Sequence, residues 1–342
     1  MEKEETIYAL SSGRLPSAIA IIRISGHKVK RILKKLTGKI PKERKLELVK
    51  IRNFDNRDLL DEGLATFFPS KKSITGEDLG ELHVHGSQAV VQDVFDALGR
   101  FDGVRPAEPG EFTKRSLYFG KLGLTEVEAL ADLIESETSA QRKQALKQMK
   151  GSLSKKYNVW RSSLIKIRAE LEAILDFSDE LDVEIYNTAS SQKDKIKKLI
   201  LEIKKDINRA PQGALIRNGI KIALIGAPNV GKSSLINVLL KEKRAIVSSE
   251  EGTTRDVIEA RLDLKGVPVS IYDTAGIRKA AEKIEAEGVQ RSKKVAKKSD
   301  IIVLVRDPNE TKAVIEGRHH KDKLFIEVYN KIDLYKNKKI NG

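Results

Sequence analysis

The 342-residue chain predicts a multidomain α/β protein in three zones: mixed α/β first, then long helices, then a doubly wound parallel sheet. Three observations carry this expectation. Short apolar runs bounded by turn residues fill the stretch from Thr6 to about Gly120. Apolar residues recur at helical spacing from Leu122 to about Ala210. From about Arg217 onward, apolar strands lead into glycine-marked loops. The expected domain borders are therefore residues 1–120, 121–213 and 214–342.

In the first zone Ala18–Ile24, Leu64–Phe68 and Glu81–His85 read as strands. Ser87 is placed to cap a helix whose Val90, Val91, Val94, Phe95 and Leu98 share one face. Arg105-Pro-Ala-Glu-Pro-Gly110 reads as a rigid turn before another short helix. His83 and His85 share a strand face, but no third metal ligand accompanies them, so they read as structural. Lys28 to Lys50 is dominated by lysine and arginine, which fits either a phosphate-bearing partner or a solvated face.

In the second zone Thr125-Glu-Val-Glu128 has the form of a capping box, opening a helix through Leu130, Leu133 and Ile134. Further helices are marked by Leu164, Ile167, Leu171 and Ile174, and by Ile196, Leu199, Ile200 and Ile203. The acidic stretch Asp176–Glu184 interrupts the pattern and reads as a loop. Pro211-Gln-Gly213 reads as the exit from the helices.

The third zone carries the chemistry. Gly226-Ala-Pro-Asn-Val-Gly231-Lys232-Ser233 follows the apolar run Ile220–Ile225 and precedes a helical segment through Leu240. That is the strand–loop–helix setting of a P-loop, whose glycines let backbone N–H groups curl around phosphates. Gly226, Asn229, Val230, Gly231, Lys232, Ser233 and Ser234 are the expected phosphate-side residues. Lys232 would reach the outer phosphates, and the Ser233 hydroxyl would ligate Mg2+.

Three later segments select the nucleotide. Asn330-Lys331-Ile332-Asp333 follows an apolar strand, and a carboxylate there can accept from both N1–H and N2–H of guanine, a pair adenine lacks. Asp273-Thr-Ala-Gly276 closes the strand Val267–Tyr272, with Asp273 on the Mg2+ side and Gly276 against the terminal phosphate. Gly252-Thr253-Thr254-Arg255-Asp256 lies between, where Thr254 would bind Mg2+ only while that phosphate is present. Four motifs in order read as a GTPase domain. Many small GTPases have a water-orienting glutamine where this chain has Ile277. Two residues could orient the water instead. One is Glu285, otherwise one more solvated helix carboxylate; the other is Asn229, which could hold a monovalent cation beside the phosphates.

Lysine and arginine number 64 against 49 acidic residues, a net charge of +15. Such a balance suits a phosphate-rich partner, most simply RNA, or reflects only a lysine-rich composition. With no cysteine, disulfides, thiolate zinc sites and thiol catalysis are excluded for this chain. No run approaches transmembrane length and the first residues are not a signal peptide, so a cytoplasmic protein without membrane contact is expected.

Beyond the G motifs, the N-terminal zone carries Ile21-Ile-Arg-Ile-Ser-Gly26, Ile74-Thr-Gly-Glu-Asp78, His83-Val-His-Gly86 and Pro109-Gly-Glu-Phe-Thr113. Gly120-Lys121 and Glu128-Ala-Leu-Ala-Asp-Leu-Ile134 follow. In this order, ahead of helices and a G domain, the whole chain resembles the MnmE (TrmE) tRNA-modification GTPases. The resemblance implies an N-terminal domain that dimerises and binds a tetrahydrofolate one-carbon derivative, with Arg23, Glu77 and Lys121 on the pocket positions. An arginine and a lysine suit the folate tail, and a carboxylate suits the pterin edge.

For the G domain the resemblance implies GTP/GDP with Mg2+ at Ser233, Thr254 and Asp273. It also implies K+ at Asn229, Ser248, Glu250 and Thr253, and hydrolysis stimulated by K+ as two G domains meet. Glu285 falls on the general-base position, Lys232, Asn229 and Thr254 complete the catalytic set, and the role of Arg278 stays open. Relatives of this kind act with the flavoprotein MnmG, which carries the FAD, to place an aminomethyl-type (carboxymethylaminomethyl) group on carbon 5 of the wobble uridine of tRNA.

The chain departs from the family pattern at Ile74, Ser87 and Gly123, and in lacking the returning helical segment and its cysteine motif. It stops at Gly342, so the G domain is expected to be C-terminally incomplete. Two other readings stay open. One is a folate-binding dimerisation module with an inactive G domain; the other is a ribosome-assembly-type GTPase switch.

Overall fold

Ala20, Ile22 and Ile24 are fully buried while Ile19, Ile21 and Arg23 between them are not, the period of two that a half-covered strand requires. In the computed structural model, which describes residues 5–176, 182–227, 229–242, 244–245, 260–273, 296–308 and 323–334, the chain divides into two units, 1–128 and 129–342.

The first unit is a six-stranded sheet of β1 (Thr6–Leu10), β2 (Ser17–Ser25), β3 (Glu47–Arg52), β4 (Leu59–Phe68), β5 (Leu79–Gly86) and β6 (Val104–Pro106). Its order is β3-β4-β5-β2-β1-β6, antiparallel throughout except for the β1–β6 pair. Helices α1 (Val29–Thr37) and α2 (Gln88–Gly99) pack on it and share one core with its strands. Each fully buried Ile or Leu there contributes about 1.5–3 kcal/mol of transfer free energy. The Ser87 hydroxyl caps α2, accepting from Val90 N at 3.1 Å, as its sequence position predicts. The rigid turn expected at Arg105–Gly110 is partly corrected. Val104–Pro106 pairs in parallel with β1, and only the remainder turns into α3 (Glu111–Tyr118). Pro106 is tolerated because β6 is an edge strand, where its missing N–H takes nothing from the ladder.

The helices that follow are α4 (Leu124–Ile134), α5 (Ser139–Met149), α6 (Ser152–Asp176) and α7 (Asp182–Asn218). Three expectations are corrected here. Thr125 lies inside α4, and its hydroxyl donates to Glu126 Oε2 at 3.1 Å; the complete capping box belongs to Thr138 and Gln141 at the start of α5. Part of the acidic stretch expected to be a loop, Asp182–Glu184, already belongs to α7. That helix also continues through Pro211 to Asn218. Pro211 deprives the Ile207 carbonyl of its amide partner. The last turns of α7 are nevertheless tied to α5, because Gln144 Nε2 donates to Gly213 O (3.2 Å) and Gln141 Nε2 to Arg217 O (3.0 Å).

The chain then enters a second six-stranded sheet. It comprises β7 (Ile220–Ile225), β8 (Arg244–Ala245), β9 (Ala260–Leu264), β10 (Val267–Asp273), β11 (Ile301–Arg306) and β12 (Leu324–Tyr329), with α8 (Lys232–Glu242) after β7. The order is β12-β11-β7-β10-β9-β8; β12, β11, β7 and β10 run parallel, and β9 and β8 extend the sheet antiparallel. Its core joins Leu224, Val230, Ile236, Leu262, Ile271 and Val305. The fold is the expected α/β type, with a partial nucleotide-domain sheet. Among the described residues no helix is long and apolar enough to cross a membrane.

Candidate functional site

The loop between β7 and α8 sits at the carboxyl end of a central parallel strand, where ligands of open α/β sheets bind. Gly226 is required by close approach, because a Cβ there would stand 2.3 Å from the Val305 carbonyl oxygen on β11. Asn229 and Gly231 take left-handed backbone angles, φ 64° and 96°, which curl the loop. Lys232 opens α8 and is buried, its Nζ donating to Gly226 O (2.8 Å) and Ala227 O (2.7 Å). Its ammonium is thus folded back over the loop. Asn229, Ser233 and Ser234 are exposed at the same helix start, where unpaired N–H groups favour anions.

The Asn330–Asp333 segment meets this loop directly through Asn330. Asn330 Nδ2 donates to Val230 O at 2.8 Å, so closely that a Cβ on Gly231 would fall 2.0 Å from that nitrogen. Lys331 adopts φ 61° and pairs with Asp307 at 3.3 Å; Asp333 follows on a short 3-10 turn, Ile332–Leu334, and is exposed. The structure therefore brings Asn330 onto the loop that carries Gly226, Asn229, Val230, Gly231, Lys232, Ser233 and Ser234, with Lys331 and Asp333 following it in the chain. For Asp273 the backbone position at the end of β10 is described. Ser248, Glu250, Thr253, Thr254, Gly276, Arg278 and Glu285 lie outside the described residues.

The residues present fit a magnesium nucleotide: a curled loop, a lysine held over it and a serine hydroxyl at a helix start are a phosphate and Mg2+ donor set.

In the first unit the pocket candidates cluster along α3. Arg23 donates twice to Glu81 Oε1 (2.9 and 2.8 Å), and its guanidinium lies 5.8 Å from the centre of the Phe112 ring. Glu77 accepts from Arg115 Nη1 (2.9 and 3.1 Å) and from Ser25 Oγ (3.0 Å). A carboxylate has about four acceptor positions, and three of those on Glu77 are taken among the described residues. Lys121 is exposed just past α3, its Nζ donating to Lys71 O at 2.9 Å. Arg23 and Glu77 thus share the α3 wall, each already held by an internal partner, and Lys121 stands beyond the end of the helix.

Sequence reasoning missed the residues that hold this wall. Arg115 bridges Glu77 and Glu111, and Glu111 also accepts from both terminal nitrogens of Arg105 at 2.8 Å. Burial lowers the pKa of Arg115, but its bonds to Glu77 and Glu111 outweigh this and raise it. The spacing of Glu111 and Arg115, four apart on a helix, was the available signal. His85 is bound by Asp61 (2.8 Å) and His83 lies 3.5 Å from Glu81; no group of three metal-ligating side chains exists among the described residues.

Comparison with known proteins agrees with this layout. Residues 6–121 match the family described as "GTP-binding protein TrmE N-terminus", and residues 124–336 match "MnmE helical domain". The tRNA modification GTPase MnmE of Rhodopseudomonas palustris is 47% identical over 302 residues, covering 88% of this chain and 68% of that protein. Its counterpart in Beijerinckia indica is 46% identical, covering 87% and 66%. That of Chelativorans is 45% identical, covering 96% and 74%. The chain thus spans roughly two thirds to three quarters of these relatives' lengths. A crystal structure of an Aquifex aeolicus Era variant bound to GDP and AlF4− is 30% identical, covering 33% of this chain and 41% of that one, with a TM-score of 0.25. With nearly half its residues identical to curated relatives from end to end of the match, the chain belongs to the MnmE (TrmE) tRNA modification GTPase family.

Proposed function

We propose that this chain binds GTP with Mg2+, hydrolyses it in a K+-stimulated reaction as two G domains associate, and serves carbon-5 modification of the tRNA wobble uridine. The observation that supports the nucleotide reading most is the Asn330–Val230 hydrogen bond, which packs a guanine-selecting segment onto a phosphate loop. In this reading Lys232 releases the Gly226 and Ala227 carbonyls for the outer phosphates. Backbone N–H groups at the start of α8 face the phosphates, and Asp333 accepts from the guanine edge. Ser233, Thr254 and Asp273 hold the Mg2+, which when bound supplies charge neutralisation between the outer phosphates. Asn229, Ser248, Glu250 and Thr253 would hold K+, which would supply positive charge beside the phosphates, and Glu285 would organise the attacking water.

In the first unit, Arg23, Glu77 and Lys121 take a tetrahydrofolate derivative. That unit also forms the homodimer, and the flavoprotein MnmG and tRNA are the partners. The proposed working boundaries are 1–120, 121–213 and 214–342.

The test is GTP turnover in potassium against sodium over a range of protein concentrations, with Gly231→Ala as the control that displaces Asn330. Turnover that requires potassium, rises per molecule with concentration and is lost in Gly231→Ala is expected. Nucleotide bound without turnover in either salt, with folate still bound, would instead leave a folate-binding dimer with an inactive switch.

A further inference from the structure

We propose that the outer face of α1 and the loop after it is the docking surface for the phosphate backbone of RNA, an assignment that rests on the tRNA-modification reading above. Between Lys28 and Lys50 the chain places lysines and arginines far in excess of its two glutamates, Glu43 and Glu47. Helix α1 sorts these cleanly. Val29, Ile32, Leu33 and Leu36 are buried in the core, which fixes Lys30, Arg31, Lys34 and Lys35 outward.

Both glutamates are already used: Glu47 pairs with Lys39 at 2.6 Å and Glu43 with Lys72 at 3.1 Å. Arg31, Lys34, Lys35, Arg44 and Lys45 have no side-chain ion pair among the described residues. Helix and loop form one surface, because both meet Phe67. Lys30 Nζ lies 5.4 Å from its ring centre, and Arg44 N donates to its carbonyl at 2.8 Å.

The surface also adjoins the candidate one-carbon pocket. Gly26 N, just before α1, donates to Asp78 O at 2.9 Å, and Lys30 pairs with the Asp78 carboxylate at 3.5 Å; Asp78 follows Glu77. A backbone held along this nine-residue helix, about 13 Å long, would bring a nucleotide beside Glu77. Lys34 and Lys35 also complement the C-terminal end of the helix dipole. That purpose does not extend to Arg31, Arg44 or Lys45. An anionic membrane is the weaker match, since the apolar side chains of α1 are buried and only the scattered Ile40 and Leu46 of the loop are exposed.

The experiment measures binding of an unmodified tRNA transcript by fluorescence anisotropy across a potassium chloride series, with unfolding curves to confirm intact variants. Arg31→Ala/Lys34→Ala/Lys35→Ala is compared with the unaltered chain and with the equal-charge control Lys198→Ala/Lys204→Ala/Lys205→Ala on α7. The first triple is expected to weaken binding about tenfold or more and to flatten the salt slope by about 2 to 3, with the control close to the unaltered chain. Arg44→Ala/Lys45→Ala should give a smaller loss in the same direction.

Equal losses in both triples would show diffuse attraction and overturn the assignment. So would unaltered binding by the α1 triple, or a preference of this face for phosphatidylserine vesicles over tRNA. If the unaltered chain binds no tRNA, the tRNA-modification reading fails with it; if it binds and the α1 triple binds equally, the docking surface alone fails.

Discussion

Glu111 shows how one residue can hold a wall of the first unit. Its carboxylate accepts two bonds from Arg105, one from Arg115 and one from the Glu108 amide, with its side chain 9% exposed. The Arg105 bonds, aided by the amide and Arg115, overcome burial and bring its pKa from 4.5 down to about 2. A carboxylate depressed in the folded state stabilises fully above its unfolded value; that stability is lost as pH falls through the folded one. The window therefore runs from 4.5 down to about 2, and the contribution at neutral pH is about 3 kcal/mol. Glu111→Gln is expected to cost about 3–5 kcal/mol by leaving Arg105 and Arg115 short of a partner. It should also remove part of the acid-induced loss seen in urea unfolding at pH 7, 4 and 3. Parallel losses in both proteins down to pH 3 would refute the role. Nothing in the sequence names Arg105 as the partner, because only the fold brings β6 against α3. The meeting of Gly231 and Asn330 beside Lys232 was expected for the opposite reason: the proposed phosphate and guanine chemistry would fix residue type and spacing in advance.

Among the elements, the start of α5 is the most informative. Thr138 is buried and acts twice. It caps the helix, accepting from Gln141 N, and it donates to Gly266 O at 2.8 Å in the turn between β9 and β10. Gly266, at φ 95°, allows this approach, since a Cβ would lie 2.8 Å from the Ala140 Cβ; Glu137 pairs with Arg261 of β9 alongside. Losing a cap costs about 1 kcal/mol and losing a buried hydrogen bond about 1 more. Thr138→Ala should therefore lower stability by about 2 kcal/mol in urea, with Thr138→Ser retaining most of it. A change below about 0.5 kcal/mol would show the joint to be slack. The spacing at Thr125 imitates a capping box, because spacing alone cannot distinguish a cap from a residue in the first turn. Apolar runs reveal β2, β4 and β5. By contrast, β3 buries only Val49 and Ile51 within a charged stretch and β6 is three residues long, so neither stands out as an apolar run. Local pattern ends α7 at Pro211, whereas its actual support comes from α5, a contact made in three dimensions.

At the scale of the whole molecule, composition and motif order reveal the class of each unit, but strand order does not follow from them. Nothing local distinguishes β1 as the partner of β6, or β7 as the strand between β11 and β10. The two cores share no residue: one gathers β2, β4 and β5 with α1 and α2, the other β7, β9 and β10 with α8. Each unit is also proposed to bind its own ligand. A ligand that binds only the folded form stabilises by about 2.7 kcal/mol at 100 times its Kd. For a domain of this size that is about 5–10 °C in melting temperature. Scanning calorimetry of the intact chain is therefore expected to show two transitions. GTP with Mg2+ should raise one, and 5-formyltetrahydrofolate the other, each leaving its neighbour in place. Gly231→Ala should abolish the first shift alone, and Glu77→Ala the second alone. A single transition raised by either ligand would mean that the cores unfold as one. The separation of nucleotide and one-carbon roles between them would then lose its thermodynamic basis.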